Sequence, residues 1–330
     1  MYPQTQALIA QKHAQGVFPG AVYQFIEPQK TETQLLGEAA ILPYRESMTC
    51  QHVFDVASLT KVICTTSVVL RLWEQGKVAI DTPLKAYLPA FEDEKITLRH
   101  LLTHTSDIQT WIPNRDQLSA SELRAAYLTL QSGENLGITV KYTDAGTILL
   151  GFMLEELLHK PVTTIFQEEV LQPIGMIHSQ FPPITQGLVV PTQQLANGEI
   201  LKGVTHDPKA RVLGKHAGNA GLFTTIDDLS RFIQAYFEGS YLTPATITWL
   251  LQDHTPTKKG KRSLGWDLRG DMFFHTGYTG TFLLMDPSKR QAFAFLSNRV
   301  HLKDEREAYI QHRDEIIAMY LSEKRLQNVL

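Results

Sequence analysis

Apolar positions recur in different rhythms along the chain, and their order sketches its architecture. Ala21 to Ile26 and Thr33 to Gly37 are short apolar-rich runs separated by polar turn residues, which predicts an N-terminal hairpin. Ahead of them, Thr5 to Ala14 sets Ala7, Leu8 and Ile9 among polar residues and ends near Gly16, predicting a short amphipathic helix. From Leu59 to Trp73 the period lengthens. Val62, Ile63, Thr66, Val69, Leu70 and Trp73 return every three or four positions, as one helix face requires. Further helices are predicted at Thr97 to Thr103, Ser121 to Leu130, Ala145 to His159 and Val162 to Leu171.

Between Met176 and Ala220 the pattern dissolves into Pro and Gly, which reads as one long extended loop of the kind that usually serves function. Strand-like runs then return at Ser263 to Leu268, Met272 to His275, Thr281 to Met285 and Ala292 to Ser297, each bounded by turn residues. A helix from Glu305 to Glu323 closes the chain. Strands at both ends around a helical middle predict an α+β fold. In it an antiparallel sheet from the N- and C-terminal segments is flanked by helices and carries an inserted, mainly helical lobe. The expected organisation is one domain over 1–330, with 1–57 plus 205–330 as the sheet part and 58–204 as the helical part.

Composition narrows the function. The 31 Lys and Arg against 34 Asp and Glu give a net charge of −3, with no basic block to follow a phosphate backbone, so nucleic acid is excluded as a partner. No stretch approaches the roughly 20 apolar residues of a membrane span. The first residues lack the basic start and apolar run of a signal peptide, so the expected compartment is the cytoplasm, or the cell envelope or exterior if a leader has been removed. Cys50 and Cys64 make no disulfide framework, and Cys64 is expected to be a small buried hydrophobe. No oligomeric state can be read.

The chemistry gathers around Ser58. Phe54-Asp55-Val56-Ala57-Ser58-Leu59-Thr60-Lys61 puts a serine at the start of the predicted helix and a lysine three residues on, on the same face. Serine needs a base before it attacks a carbonyl, and a desolvated lysine can serve. A helix N-terminus also favours the negative charge that develops on an attacked carbonyl oxygen. Two further segments are bland alone. Lys141-Tyr142-Thr143-Asp144 reads as a tyrosine at a helix entry with Asp144 as N-cap, and Phe274-His275-Thr276-Gly277-Tyr278-Thr279-Gly280 as a hairpin turn.

Taken in order, the three resemble the class C β-lactamase and penicillin-binding-protein family, whose signature is Ser-x-x-Lys, Tyr-x-Asn, then Lys or His-Thr-Gly. Leu101 to Ser106, Pro173 to Met176, Ala220 to Thr225 with Asp228-Leu229, and Ser297 to His301 also resemble that family, so the likeness covers nearly the whole chain. The resemblance implies a serine hydrolase working through an acyl-enzyme on Ser58, with Lys61 and Tyr142 sharing the proton transfers and no metal or organic cofactor. It also implies an oxyanion hole from the backbone N–H groups of Ser58 and Tyr278, and a substrate strand laid along His275, Thr276 and Gly277. The substrate would be a small acyl compound: an ester, an amide, a lactam or a D-amino-acid peptide.

Two departures modify this expectation. Asp144 stands where the family usually has Asn; it can only accept hydrogen bonds, and beside Lys61 it favours the ammonium, shifting the base role towards Tyr142. His275 stands where many relatives have Lys, so the permanent cation for a substrate carboxylate is missing and neutral esters or amides are the expected substrates. A D-Ala-D-Ala carboxypeptidase or β-lactamase is the alternative, as is a binding or sensing protein that is acylated without turning over. A metal at His100 and His104 lacks a third ligand, and an α/β-hydrolase is excluded because no serine lies in Gly-x-Ser-x-Gly. His206 and Asp207 could orient each other, Trp111 and Tyr278 are candidate pocket walls, and Asp107 replaces the family's glycine without an evident reason.

Overall fold

A computed structural model describes residues 1–327. Its spine is an antiparallel sheet of seven strands: β1 (Gly20–Glu27), β2 (Lys30–Ala40), β3 (Glu46–Ser47), and, from the end of the chain, β6 (Asp267–Leu268), β7 (Phe273–Gly277), β8 (Thr281–Asp286) and β9 (Gln291–Ser297). The order β3-β2-β1-β9-β8-β7-β6 brings the first and last strands together at the centre, Ala21 facing Ser297 and Ile26 facing Ala292. Two-residue strands β4 (Phe54–Asp55) and β5 (Phe223–Thr224) pair separately, just ahead of Ser58.

The sheet is covered on both faces, which is why β1 is buried along nearly its whole length. Ala21, Tyr23 and Phe25 point to one side and join Phe282, Phe293 and Phe295 under the N- and C-terminal helices Pro3–Ala14 and Arg306–Gln327. Val22 and Ile26 point to the other and join the core of the helical lobe. Glu323 ties the two terminal helices, accepting the backbone N–H groups of Gln4 (2.9 Å) and Thr5 (2.7 Å) at a helix start that favours an anion. No helix among the described residues is long and apolar enough to cross a membrane.

The expected α+β class and the pairing of the two ends are borne out; several boundaries are not. The Ser263 to Leu268 run is a strand only over Asp267–Leu268, because Gly265 turns left-handed (φ 81°) against Thr66. The Leu59 to Trp73 helix contains a π-helical turn, Lys61–Thr66, before the regular helix Ser67–Glu74. Val162 to Leu171 likewise splits into the helix Val162–Phe166 and a π turn, Gln167–Leu171. The long loop is interrupted by the helix Pro208–Leu213, capped by Asp207, whose Oδ1 accepts the Ala210 N–H. Helices Ile226–Glu238 and Pro244–Leu250 lie outside the elements that the sequence predicts.

Candidate active site

The site lies where the Ser58 turn, the entry of the helix Ala145–Leu158, the helix Pro208–Leu213 and the end of β7 meet. Ser58 follows Ala57, whose φ of 47° is left-handed, a conformation that costs an alanine about 1–3 kcal/mol. Asp55 holds that turn. Its buried carboxylate accepts the N–H of Ala57 (2.8 Å) and the N–H of His206 (2.7 Å), and its carbonyl accepts the Thr279 hydroxyl (2.6 Å). Three segments distant in sequence are thus pinned beside Ser58.

Lys61 is 1% exposed, and its ammonium donates to Ser58 Oγ (2.7 Å), the Asn219 carbonyl (3.0 Å) and Asp144 Oδ1 (2.7 Å). Those three bonds use every proton the group has. Burial alone would lower the Lys61 pKa, but Asp144, Tyr142 and Asp207 facing it outweigh that and raise it. Asp144 is held well below the usual carboxylate range: burial opposes ionisation, and the ammoniums of Lys61 and Lys209 overcome it. Lys209 bonds the other oxygen of Asp144 (3.0 Å) and also Asp207 Oδ2 (2.8 Å), while Asp207 Oδ1 accepts from Asn219 Nδ2 (3.1 Å). Lys61, Asp144, Lys209, Asp207 and Asn219 therefore close a ring.

Tyr142 is 49% exposed, with its ring centroid 5.5 Å from Lys61 Nζ and flanked by the rings of His104 (4.5 Å) and His275 (5.9 Å). Both histidines are held well below their ordinary pKa, first by burial and then by nearby cations including Arg262 and Lys61, so both are neutral at neutral pH. Gly277 is required because a Cβ there would lie 2.3 Å from the Val56 carbonyl oxygen. β6 pairs only with Phe273 and Phe274, leaving the outer edge of His275 to Gly277 open. The backbone N–H groups of Ser58 and Tyr278 have no hydrogen-bond partner among the described residues, and Arg299 Nε fixes the Tyr278 carbonyl at 2.9 Å. An open strand edge beside a serine, an amine and two free N–H groups is an arrangement suited to acyl transfer.

The Beta-lactamase family model matches residues 5–316. The chain belongs to that family. This β-lactamase-family protein is 27% identical to the N-acetylmuramyl-L-alanine amidase of Bacillus subtilis, the match covering 86% of this chain and 78% of that protein. It is 25% identical to an Escherichia coli protein named "Putative D-alanyl-D-alanine carboxypeptidase", over 76% of this chain and 69% of that one. Among solved structures, a class C β-lactamase in complex with cefoxitin superposes with a TM-score of 0.75 at 19% identity, covering 97% of each chain.

Within this family member, the residues singled out from sequence fall out unevenly. Ser58, Lys61, Tyr142, Asp144 and His275 come together, and Thr276, Gly277 and Tyr278 line the same edge. Asp144 makes no side-chain cap; its carboxylate is spent on the two lysines. His206 does not pair with Asp207 but stacks on Tyr278 at 5.2 Å. His100 forms a capping box with Thr97, and Trp111 is 81% exposed without ring contacts among the described residues. Asp107 acquires a reason: its left-handed backbone (φ 46°) and carboxylate take the N–H groups of Gly133 and Asn135, pinning the loop after residue 130.

Sequence reasoning missed Lys209, Asp55 and above all Arg262. Arg262 is 9% exposed, makes no ion pair among the described residues, and leaves Nε and Nη2 unpartnered. Its charge interacts first with Asp267 and then with Tyr142, and it acts on His104 and His275. A buried guanidinium that makes no close ion pair is costly, and Asp267 is the acidic group whose charge favours it.

Burial pushes the Asp55 carboxyl up to about 6, against the opposing pull of its two N–H partners. Between about pH 4 and pH 6 the folded protein then binds a proton that the unfolded chain has released, so this contribution to stability is full below that window and lost as pH rises through it. Relative to Asp55→Asn, the wild type is expected to lose on the order of 2 kcal/mol between about pH 4 and pH 7. Urea unfolding of both proteins at the two pH values checks it; a constant difference would refute the perturbation.

Proposed function

We propose that this protein is a serine hydrolase that cleaves an amide next to a carboxylate, as in a peptide ending in D-alanyl-D-alanine, through an acyl-enzyme on Ser58. The reading is carried by Ser58 Oγ lying 2.7 Å from Lys61 Nζ at a strained helix start. Ser58 attacks the carbonyl carbon, and its proton passes to the Lys61–Tyr142 pair. Negative charge on the former carbonyl oxygen is met by the N–H groups of Ser58 and Tyr278. The pair returns the proton to the leaving nitrogen as the C–N bond breaks, and water repeats the path to release the acid.

Arg262 supports this choice of substrate class. His275 is neutral, so neutral acyl compounds would follow if it were the only group facing a leaving-group carboxylate. Arg262 supplies the permanent cation that the third motif lacks, and the names of the Escherichia coli and Bacillus subtilis relatives agree with a peptide or amide substrate. A charge-assisted contact of this kind is worth about 1.5–3 kcal/mol. A D-alanyl-D-alanine peptide is therefore expected to give a kcat/KM about 10–100 times that of its C-terminal carboxamide. The test is D-alanine or D-alaninamide release from the matched pair, alongside a short-chain nitrophenyl ester. Equal rates for the pair, with faster ester turnover, would restore the neutral-acyl reading.

A further inference from the structure

We infer that Lys209 is a positioning residue of this site: by sharing the carboxylate of Asp144, it sets the pH at which the Lys61–Tyr142 pair gives up the proton that activates Ser58. The inference rests on the function proposed above. It starts from a chemical difficulty. Lys61 donates to Ser58, Asn219 and Asp144, so the resting ammonium has no lone pair with which to take the serine's proton. The pair must first lose one proton, whichever member is left deprotonated. A lone carboxylate 2.7 Å from Lys61 would strongly oppose that loss.

Lys209 relieves the opposition. Its ammonium sits 3.0 Å from the second oxygen of Asp144, and its side chain is only 11% exposed, so solvent screens it weakly. Its own pKa is lowered by burial but raised more by Asp144 and Asp207, so it stays charged. Asp207 does not need it for anchorage, since Ala210 N–H and Asn219 Nδ2 already hold Oδ1. The other groups facing the pair are Asp207, Arg262 and the neutral rings of His104 and His275. Among the charges bonded into the ring around Lys61, Asp144 and Asp207 are negative and Lys209 positive, a net of one negative charge. Deleting the charges of Asp144 and Lys209 together leaves the same net charge; deleting either alone does not. Asp144 and Lys209 therefore act jointly as a neutral pair.

The experiment is the pH dependence of Ser58 labelling by a fluorophosphonate, which reports nucleophile activation without a natural substrate. Lys209→Met is expected to move the acidic limb up by about one pH unit, Asp144→Asn to move it down, and Lys209→Arg to leave it in place. The double variant Asp144→Asn/Lys209→Met should return to within about half a unit of wild type. A limb unmoved in Lys209→Met, or a double variant that simply follows either single one, overturns the inference. A merely structural role would lower the melting temperature or the plateau without moving the limb. Should Lys209→Met fail to fold, Asp144→Asn and the double variant still decide. Absence of Ser58 labelling in the wild type at every pH would instead overturn the hydrolase reading, and this inference with it.

Discussion

Lys61→Met is expected to slow acylation of Ser58 by roughly 10³–10⁴-fold and also to destabilise the fold, whereas Ser58→Ala abolishes acylation at little cost in stability. The contrast follows from the neighbourhood of each side chain. Ser58 is half-buried, and its hydroxyl's bond is to Lys61. Lys61 is fully buried and holds three groups from different parts of the chain. Removing one member of a buried ion pair typically costs about 3–5 kcal/mol. Here Lys209 remains on Asp144, so the lower end of that range is expected. Burst kinetics with a nitrophenyl ester and thermal unfolding of both variants give the comparison. A Lys61→Met protein that acylates at the wild-type rate would remove the lysine from the chemistry altogether.

Arg262→Met should trade function for stability. The guanidinium is a nearly buried charge that makes no ion pair among the described residues, Asp267 acting on it only at longer range, and such a group tends to destabilise a fold. Methionine fills similar space without the charge, so a gain on the order of 1–3 kcal/mol is expected in the free protein. The same change should raise KM for a carboxylate-ended substrate by about 10–100-fold and leave the carboxamide unaffected. Denaturant midpoints and steady-state kinetics together test the claim. A variant that is less stable, and weakened equally towards both substrates, would make Arg262 a structural residue.

The fold was legible because it is written in repeated, short-range signals. β1 and β9 are continuous apolar runs, and the faces of the helices are regular enough to be counted. The order of the three motifs then picked out most of the residues that the structure brings together in the candidate site. What escaped was polar and long-range. Lys209 lies in a stretch whose Pro and Gly content suggests loop, although Asp207-Pro208 is a good helix start. Arg262 precedes a run with strand-like composition, and nothing local reveals that its charge interacts with Tyr142. Asp144 illustrates the limit best: as an N-cap its role is local, but its actual partners are 83 residues upstream and 65 downstream, counted from Lys61 and Lys209. The helix Ile226–Glu238 was available to periodicity, since Ile226, Leu229, Phe232, Ile233 and Tyr236 mark its buried face behind a Thr225 cap.

The adjacency of β1 and β9 also bears on how the molecule is made. During synthesis the hairpin of β1 and β2 emerges first, but its inner edge has no partner until some 250 residues later, when β9 leaves the ribosome. Ser58, Tyr142 and Tyr278 come from the first, middle and last parts of the chain, so no short nascent fragment holds all three residues of the candidate site. The candidate site is therefore complete only once residues from both ends of the sheet are present together.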